Sequence, residues 1–132
     1  IIWVSQVAIG NENNLQFRIF GEQGGLSWRQ EEPNELIFSP LNQPSRRITR
    51  DSSSVASEAS LVTRVPAGHP EGYLEGFATI YSEIAHAIFA ARNGEAVDQN
   101  VSFPTAEDGK AGVNFIEAVV RSSNEGSVWV NL

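Results

Sequence analysis

The chain has 132 residues, a formal net charge of -7 at pH 7, and neither cysteine nor methionine. With 41% apolar and 19% charged residues its composition is that of about one ordinary globular domain. The acidic balance argues against nucleic-acid binding through a basic face, and the lack of cysteine excludes disulfides, thiol nucleophiles and cysteine-based zinc sites.

The first residues, Ile1-Ile2-Trp3-Val4, already lie in an apolar run with no charged leader before it. They therefore do not begin a signal peptide, and the missing methionine predicts that the chain is a fragment of a longer protein. Every apolar stretch is far shorter than the ~20 residues that cross a bilayer. We expect a cytoplasmic protein with no membrane segment.

Period-two alternation in the first half predicts a four-strand antiparallel meander. The predicted strands are Trp3–Ile9, Leu15–Phe20, Leu26–Gln30 and Glu35–Phe38. Residues 10–14 tolerate positive φ, so a hairpin is expected between the first two strands. The mixed polar and apolar faces suit a sheet covered by a partner subunit or a substrate cavity, and equally a sheet half exposed to water.

The stretch from residue 39 to residue 64 gives weaker signals. Arg47–Thr49 and Ser60–Val62 are candidate short edge strands, and Asp51–Ser60 is expected to be a mobile surface loop. The serines of that loop lack the strained setting and the nearby base that would activate a nucleophile. They are interpreted as solvated.

Apolar residues recur at helical spacing from Glu71 until the stop signal Asn93-Gly94. A second helix is predicted from a capping box in which Thr105 is the N-cap and Asp108 stands three residues on. Its expected buried stripe is Gly112, Phe115, Ile116, Val119 and Val120, with Gly112 allowing close approach of a neighbouring element. A final strand is expected at Val128–Val130, returning to the sheet.

These elements predict an α+β fold: an open, predominantly antiparallel β-sheet with two main helices packed on one face. Residues 1–132 are expected to form a single domain.

Two familiar kinds of site are missing from the pattern. Gly21, Gly24 and Gly25 have the wrong spacing for a dinucleotide fingerprint and lead into a strand. The two histidines, His69 and His86, stand alone, so no metal site is predicted. His86 falls on a polar helix face and is interpreted as solvated.

His69 lies in the segment Gly68-His69-Pro70-Glu71-Gly72, just before the first predicted helix. Its imidazole can hydrogen-bond a substrate hydroxyl there. Alternatively, His69 and Glu71 only cap the helix and satisfy local backbone groups. The pattern leaves both interpretations open.

The succession GHPEGY, FATIYSEIAHAI and FPTAEDGKAGVNFIEAVVRSSNEGSVWVNL resembles the C-terminal part of the Gfo/Idh/MocA family, which includes glucose-fructose oxidoreductase and inositol dehydrogenase. The upstream segment SQVAIGNENNLQFRIFGEQGGLSWRQEEPNEL is similar to the strands of that family. The resemblance covers nearly the whole chain and rests on the order and spacing of these segments.

The resemblance implies an oxidoreductase whose N-terminal Rossmann domain, absent from this chain, binds NAD or NADP. The present chain would then supply walls of the cavity for a sugar, inositol or related polyol, and a sheet face for homo-oligomer formation. His69 and Tyr73 are the implied substrate-side residues. Candidates for the subunit contact are Trp3, Gln6, Phe17 and Trp28.

In the family, a lysine of the cofactor domain and an Asp-x-x-x-His pair handle the substrate proton. No aspartate of this chain is followed four residues later by histidine, so no catalytic or cofactor-binding residue is assigned and the chain is expected to be inactive alone. Two alternatives stay open, a non-catalytic regulator of the same family and a stand-alone dimerising ligand-binding module.

Overall fold

The structure is a computed structural model that describes residues 1–132. It consists of two compact units, residues 7–82 and residues 1–6 together with 83–132. The elements are β1 Gln16–Gly21, β2 Gly24–Arg29, β3 Glu35–Pro40, β4 Arg46–Thr49, α1 Ser57–Leu61, α2 Tyr73–Asn93 and α3 Ala106–Asn124.

The four strands form one antiparallel sheet in the order β1-β2-β3-β4. The register places Phe17, Trp28, Leu36 and Ile48 side by side in one row across the sheet. Within that row the Phe17 and Trp28 rings stack with their centroids 5.5 Å apart. Because side chains alternate between faces, this face is mostly apolar, with Arg46 as its charged residue, while the other face carries Arg18 and Arg47.

The β1–β2 hairpin closes on a two-residue turn between the paired Gly21 and Gly24. A Cβ on Gly24 would lie 2.7 Å from the carbonyl oxygen of Ser39 on β3. Glycine at this position therefore lets β2 and β3 approach each other without a steric clash.

The predicted capping box at the start of α3 is confirmed. The backbone N–H of Asp108 donates to the Thr105 hydroxyl at 3.4 Å, and the backbone N–H of Thr105 donates to the Asp108 carboxylate at 2.8 Å. Two of the unpaired donors at the helix start are satisfied in this way. The predicted end of α2 is also confirmed, since the helix stops at Asn93 and Gly94 follows with φ of 70°.

The apolar stripe predicted for α3 is not the part of the helix that is buried. Phe115, Ile116 and Val120 are exposed, and the buried apolar residue is Ala118. A Cβ on Gly112 would meet no atom within 4 Å, so the expected close approach at that glycine does not occur. The side chains of the stripe remain available for contact with another surface.

Two predicted strands are absent. Trp3–Ile9 and Val128–Val130 form no ladder, because an alternating apolar segment becomes a strand only when a neighbouring strand accepts its hydrogen bonds. The glycine turn after the first of them does form, with Gly10 and Asn14 at positive φ, but it does not close a hairpin.

The loop predicted at Asp51–Ser60 is wrong in its second half, where Ser57–Leu61 form α1. For the same reason Ser60–Val62 is not a strand. Residues just before and within α1 line an apolar cavity of about 440 Å³ together with the row of sheet residues. Val55, Ala56 and Ala59 line the cavity on the α1 side.

One serine of the loop is also not solvated as expected. The Ser52 hydroxyl is buried and has no hydrogen-bond partner.

The α+β class and the open antiparallel sheet are confirmed, including the short strand expected at Arg47–Thr49. None of the three helices combines the length and the apolar character required to cross a bilayer.

Candidate functional site

The segment between α1 and α2 carries His69 and is shaped by a tight turn. The backbone N–H of His69 donates to the carbonyl of Pro66 at 3.2 Å, which closes the turn. Gly68, the third residue of that turn, has φ of 84°, a conformation that glycine adopts without steric cost. The sequence Pro-Ala-Gly-His thus fixes the direction in which the chain reaches His69.

Arg50, the residue directly after β4, binds the backbone carbonyls of this turn. Its Nη1 donates to the carbonyl of Val65 at 2.5 Å, and its Nη2 donates to the carbonyls of Pro66 at 3.2 Å and His69 at 2.5 Å. A guanidinium can satisfy several carbonyls at once because its N–H groups fan out in one plane.

The same guanidinium is bound on its other edge. Arg50 Nε donates to Asn34 Oδ1 at 2.8 Å, and Nη1 pairs with the Glu71 carboxylate at 2.9 Å. Asn34 Oδ1 also accepts from the backbone N–H of Glu71 at 3.2 Å. Arg50, Asn34 and Glu71 therefore form one connected cluster, which we call the Arg50 clamp.

The ion pair of the clamp is buried. The Arg50 side chain is 16% exposed and that of Glu71 is 6% exposed. The two Glu71 carboxylate oxygens also accept from the backbone N–H of Arg64 at 3.0 and 3.1 Å. Removing one partner of such a pair leaves a buried charge unpaired, which destabilises a protein by about 3–5 kcal/mol.

Asp51, next to Arg50, adds a further tie to the same turn. Its carboxylate accepts from the backbone N–H of Ala67 at 3.1 Å. Asp51 adopts φ of 60°, a left-handed conformation that aspartate tolerates better than most residues. The two consecutive residues Arg50 and Asp51 thus bind both the carbonyl side and the amide side of the segment 65–69.

At the start of α2 the carboxylate of Glu75 binds a backbone N–H that has no partner within the helix. Glu75 accepts from the N–H of Gly72 at 2.8 Å. This hydrogen bond holds the pKa of Glu75 below its ordinary value of 4.5, with smaller contributions from its own backbone N–H and from the charges of Arg64 and Arg50. Glu71 does not cap α2, since its carboxylate faces Arg50 and Arg64.

A cavity of about 540 Å³ lies beside the clamp, between the turn at residues 31–35 and the segment 70–75. This volume is in the range of small-molecule sites. Tyr73 lines it, with its ring centroid 5.0 Å from that of Phe77. Five glutamates also contribute to the lining: Glu31, Glu32, Glu35, Glu71 and Glu75.

Of the two implied substrate-side residues, Tyr73 lines this cavity and His69 is not among the lining residues. Tyr73 is 73% exposed. His69 precedes Pro70, which lines the cavity, and its exposed imidazole makes no hydrogen bond within the chain. The imidazole is therefore free to bind a ligand, while its backbone is held by Arg50.

Arg50 and Asn34 were not identified from the sequence. Arg50 directly follows the candidate edge strand Arg47–Thr49, and Asn34 lies just before the predicted strand Glu35–Phe38, so neither position stands out in the pattern. Arg50-Asp51, a pair of opposite charges where a strand ends before a serine run, is the signal that could have marked the position.

The residues of this chain do not fit the pyrophosphate of a nicotinamide dinucleotide. Phosphates bind at helix starts whose backbone N–H groups are free. At the starts of α2 and α3 the carboxylates of Glu75 and Asp108 already accept from those backbone groups and would repel a phosphate. No cluster of three histidine or acidic side chains is arranged to hold a metal ion.

Comparison with known proteins identifies the family. Residues 2–132 match the sequence model of the oxidoreductase family C-terminal alpha/beta domain, GFO_IDH_MocA_C. The chain belongs to the Gfo/Idh/MocA oxidoreductase family. This confirms the resemblance of the segments around His69 and α3.

Members of the Gfo/Idh/MocA family are similar to this chain in both sequence and structure. An uncharacterized oxidoreductase of Bacillus subtilis, YfiI, is 33% identical over 130 residues, which is 98% of this chain and 33% of the relative. An oxidoreductase from Sinorhizobium meliloti is 48% identical with a TM-score of 0.85, over 96% of this chain and 35% of that one.

An inositol dehydrogenase homolog from Azotobacter vinelandii, complexed with NADH and myo-inositol, is 32% identical with a TM-score of 0.86. The match covers 97% of this chain and 34% of that one. The chain therefore spans about a third of the length of these relatives.

Proposed function

We propose that this chain is the substrate-side domain of an NAD(P)-dependent dehydrogenase that acts on a sugar, inositol or related polyol. The observation that carries the proposal is the 32% identity and TM-score of 0.86 to an inositol dehydrogenase homolog complexed with NADH and myo-inositol. A Rossmann domain elsewhere in the full-length protein would bind the cofactor, because the residues of this chain do not suit a pyrophosphate.

The cofactor, held outside this chain, would supply the hydride-transfer chemistry needed at a secondary alcohol carbon of the substrate. In this chain, the His69 imidazole would hydrogen-bond a substrate hydroxyl and orient that carbon. Tyr73 would form part of the cavity wall. The proton of the reacting hydroxyl would be taken by groups outside this chain.

The charge of the cavity supports a neutral, hydroxyl-rich substrate. Of the five glutamates that line it, Glu32, Glu35 and Glu71 form ion pairs with arginines, while Glu31 and Glu75 do not. Carboxylate oxygens accept hydrogen bonds from hydroxyls while repelling anions. We therefore expect unphosphorylated polyols to be preferred over sugar phosphates and uronic acids.

The chain would also supply a subunit interface through the apolar face of the sheet. Phe17 is 44% exposed and Ile19 is 56% exposed on this face of β1. Exposed aromatic and aliphatic side chains grouped on one face are typical of the centre of a subunit interface.

The test of the catalytic proposal is NADH or NADPH formation by the full-length protein with a panel of polyols. The panel contains myo-inositol, its isomers, aldoses, and phosphorylated and carboxylated counterparts. We expect turnover of at least one neutral polyol or sugar, and a lower kcat/KM for its anionic counterpart. Absence of turnover across the neutral members with both cofactors would contradict the proposal.

A further inference from the structure

The Arg50 guanidinium has no free donor with which to bind a ligand. Four hydrogen bonds and the ion pair with Glu71 occupy all three guanidinium nitrogens. Arg50 is also 16% exposed. Its partners nevertheless include three backbone carbonyls of the segment that ends at His69, so Arg50 can affect a ligand only through the position of that segment.

We propose that Arg50 is a positioning residue for substrate binding, which sets the place of the His69 imidazole through the His69 carbonyl. This inference rests on the proposed function, in which His69 hydrogen-bonds a substrate hydroxyl. The partners of Arg50 come from separate parts of the chain, the turn at Asn34 and the segment Val65–Glu71, so the clamp joins the edge of the sheet to the His69 turn.

The geometry explains why arginine is needed at this position. The Arg50 nitrogens reach Asn34 on one edge and the carbonyls of Pro66 and His69 on the other. A lysine carries its donors on a single nitrogen, so it can keep the pair with Glu71 but cannot reach both edges. Arg50→Lys therefore preserves the buried charge while releasing part of the His69 turn.

The experiment compares steady-state kinetics of the full-length protein with the polyol substrate found active. For Arg50→Lys we expect the KM for the polyol to rise about tenfold, the KM for the nicotinamide cofactor to stay unchanged, and kcat to stay within about twofold. A purely structural role would instead lower the fraction of active enzyme, which reduces kcat at constant KM. Arg46→Lys is the matched control, since Arg46 lies on β4, the strand that leads into Arg50, and its guanidinium stacks on the Phe38 ring.

A double-mutant cycle with His69→Ala tests whether Arg50 acts through His69. If it does, Arg50→Lys has little further effect on KM once the imidazole is gone. Asn34→Ala, which removes the Nε acceptor, should give a smaller rise in polyol KM and provides a second variant if Arg50→Lys fails to fold.

The inference is overturned if Arg50→Lys lowers kcat without changing the polyol KM, or if its effect multiplies with that of His69→Ala. Failure of the proposed function looks different: His69→Ala alone would then leave the polyol KM unchanged. Backbone amide exchange at His69 separates the two cases, because the clamp predicts faster exchange in Arg50→Lys than in Arg46→Lys.

Discussion

Thr105 and Asp108 show how single residues set the start of a helix. The Thr105 hydroxyl donates to the Asp108 carboxylate at 2.7 Å, and the Thr105 backbone N–H donates to the same carboxylate. These hydrogen bonds hold the pKa of Asp108 below its ordinary value of 3.8. The charged carboxylate also interacts favourably with the positive end of α3.

This lowered pKa gives a pH dependence with a definite sign. The stabilisation of the α3 start is fully present above 3.8, the ordinary pKa, and is lost as the pH falls through the lower folded-state pKa. We expect the Thr105 amide proton to titrate in an NMR experiment with a midpoint below 3.8.

In Thr105→Ala the midpoint should move up towards the ordinary value, because the first of the two hydrogen bonds is removed. Ser123→Ala is the control, since the Ser123 side chain on the same helix is exposed and makes no hydrogen bond. A midpoint at or above 3.8 in the unmodified chain would contradict this account.

At the scale of single elements, β1 presents an apolar side chain on one face of the sheet and a charged side chain on the other. Ile19 lies on the apolar face and Arg18 on the opposite face of the same strand. If the apolar face forms the proposed subunit contact, Ile19→Arg should weaken self-association of the full-length protein at least tenfold, because it places an unpaired charge in the interface.

The measurement is the dissociation constant from sedimentation velocity over a range of concentrations. Arg18→Glu, on the same strand but the other face, is the matched control and should change association less. A protein that is monomeric at every concentration, or that responds more strongly to Arg18→Glu, would rule out this face as the contact.

Elements with strong local signals were predicted well from the sequence. The stop at Asn93-Gly94, the capping box at Thr105, and the strands around Phe17 and Ile37 depend on residues close together in the chain. The segments Trp3–Ile9 and Val128–Val130 have the alternation of strands, but strand formation also needs a neighbour with free hydrogen-bonding groups, which no local pattern reports.

The candidate site was predicted only in part, for a related reason. His69 stands out because it follows a glycine in a turn-forming segment. The residues that hold it, Arg50 and Asn34, lie 19 and 35 positions before it in the sequence. Their role comes from hydrogen bonds to backbone carbonyls and amides. Because every residue type carries a backbone carbonyl, such bonds cannot be recognised from the sequence of the segment that is bound.

For the whole molecule, we propose that the substrate binds to this chain and the cofactor to a separate domain. Carboxylates occupy the helix starts where a pyrophosphate could bind, while His69 and the cavity beside Tyr73 remain accessible. Substrate affinity and cofactor affinity should therefore depend on different parts of the full-length protein.

The most direct test is calorimetry of the full-length protein with the polyol and, separately, with NAD or NADP. His69→Ala should weaken polyol binding about tenfold, the effect of losing one hydrogen bond to a substrate hydroxyl, and leave the Kd of the nicotinamide cofactor within about twofold. An unchanged polyol Kd, or an equal loss of cofactor affinity, would contradict the assignment of this chain to the substrate side.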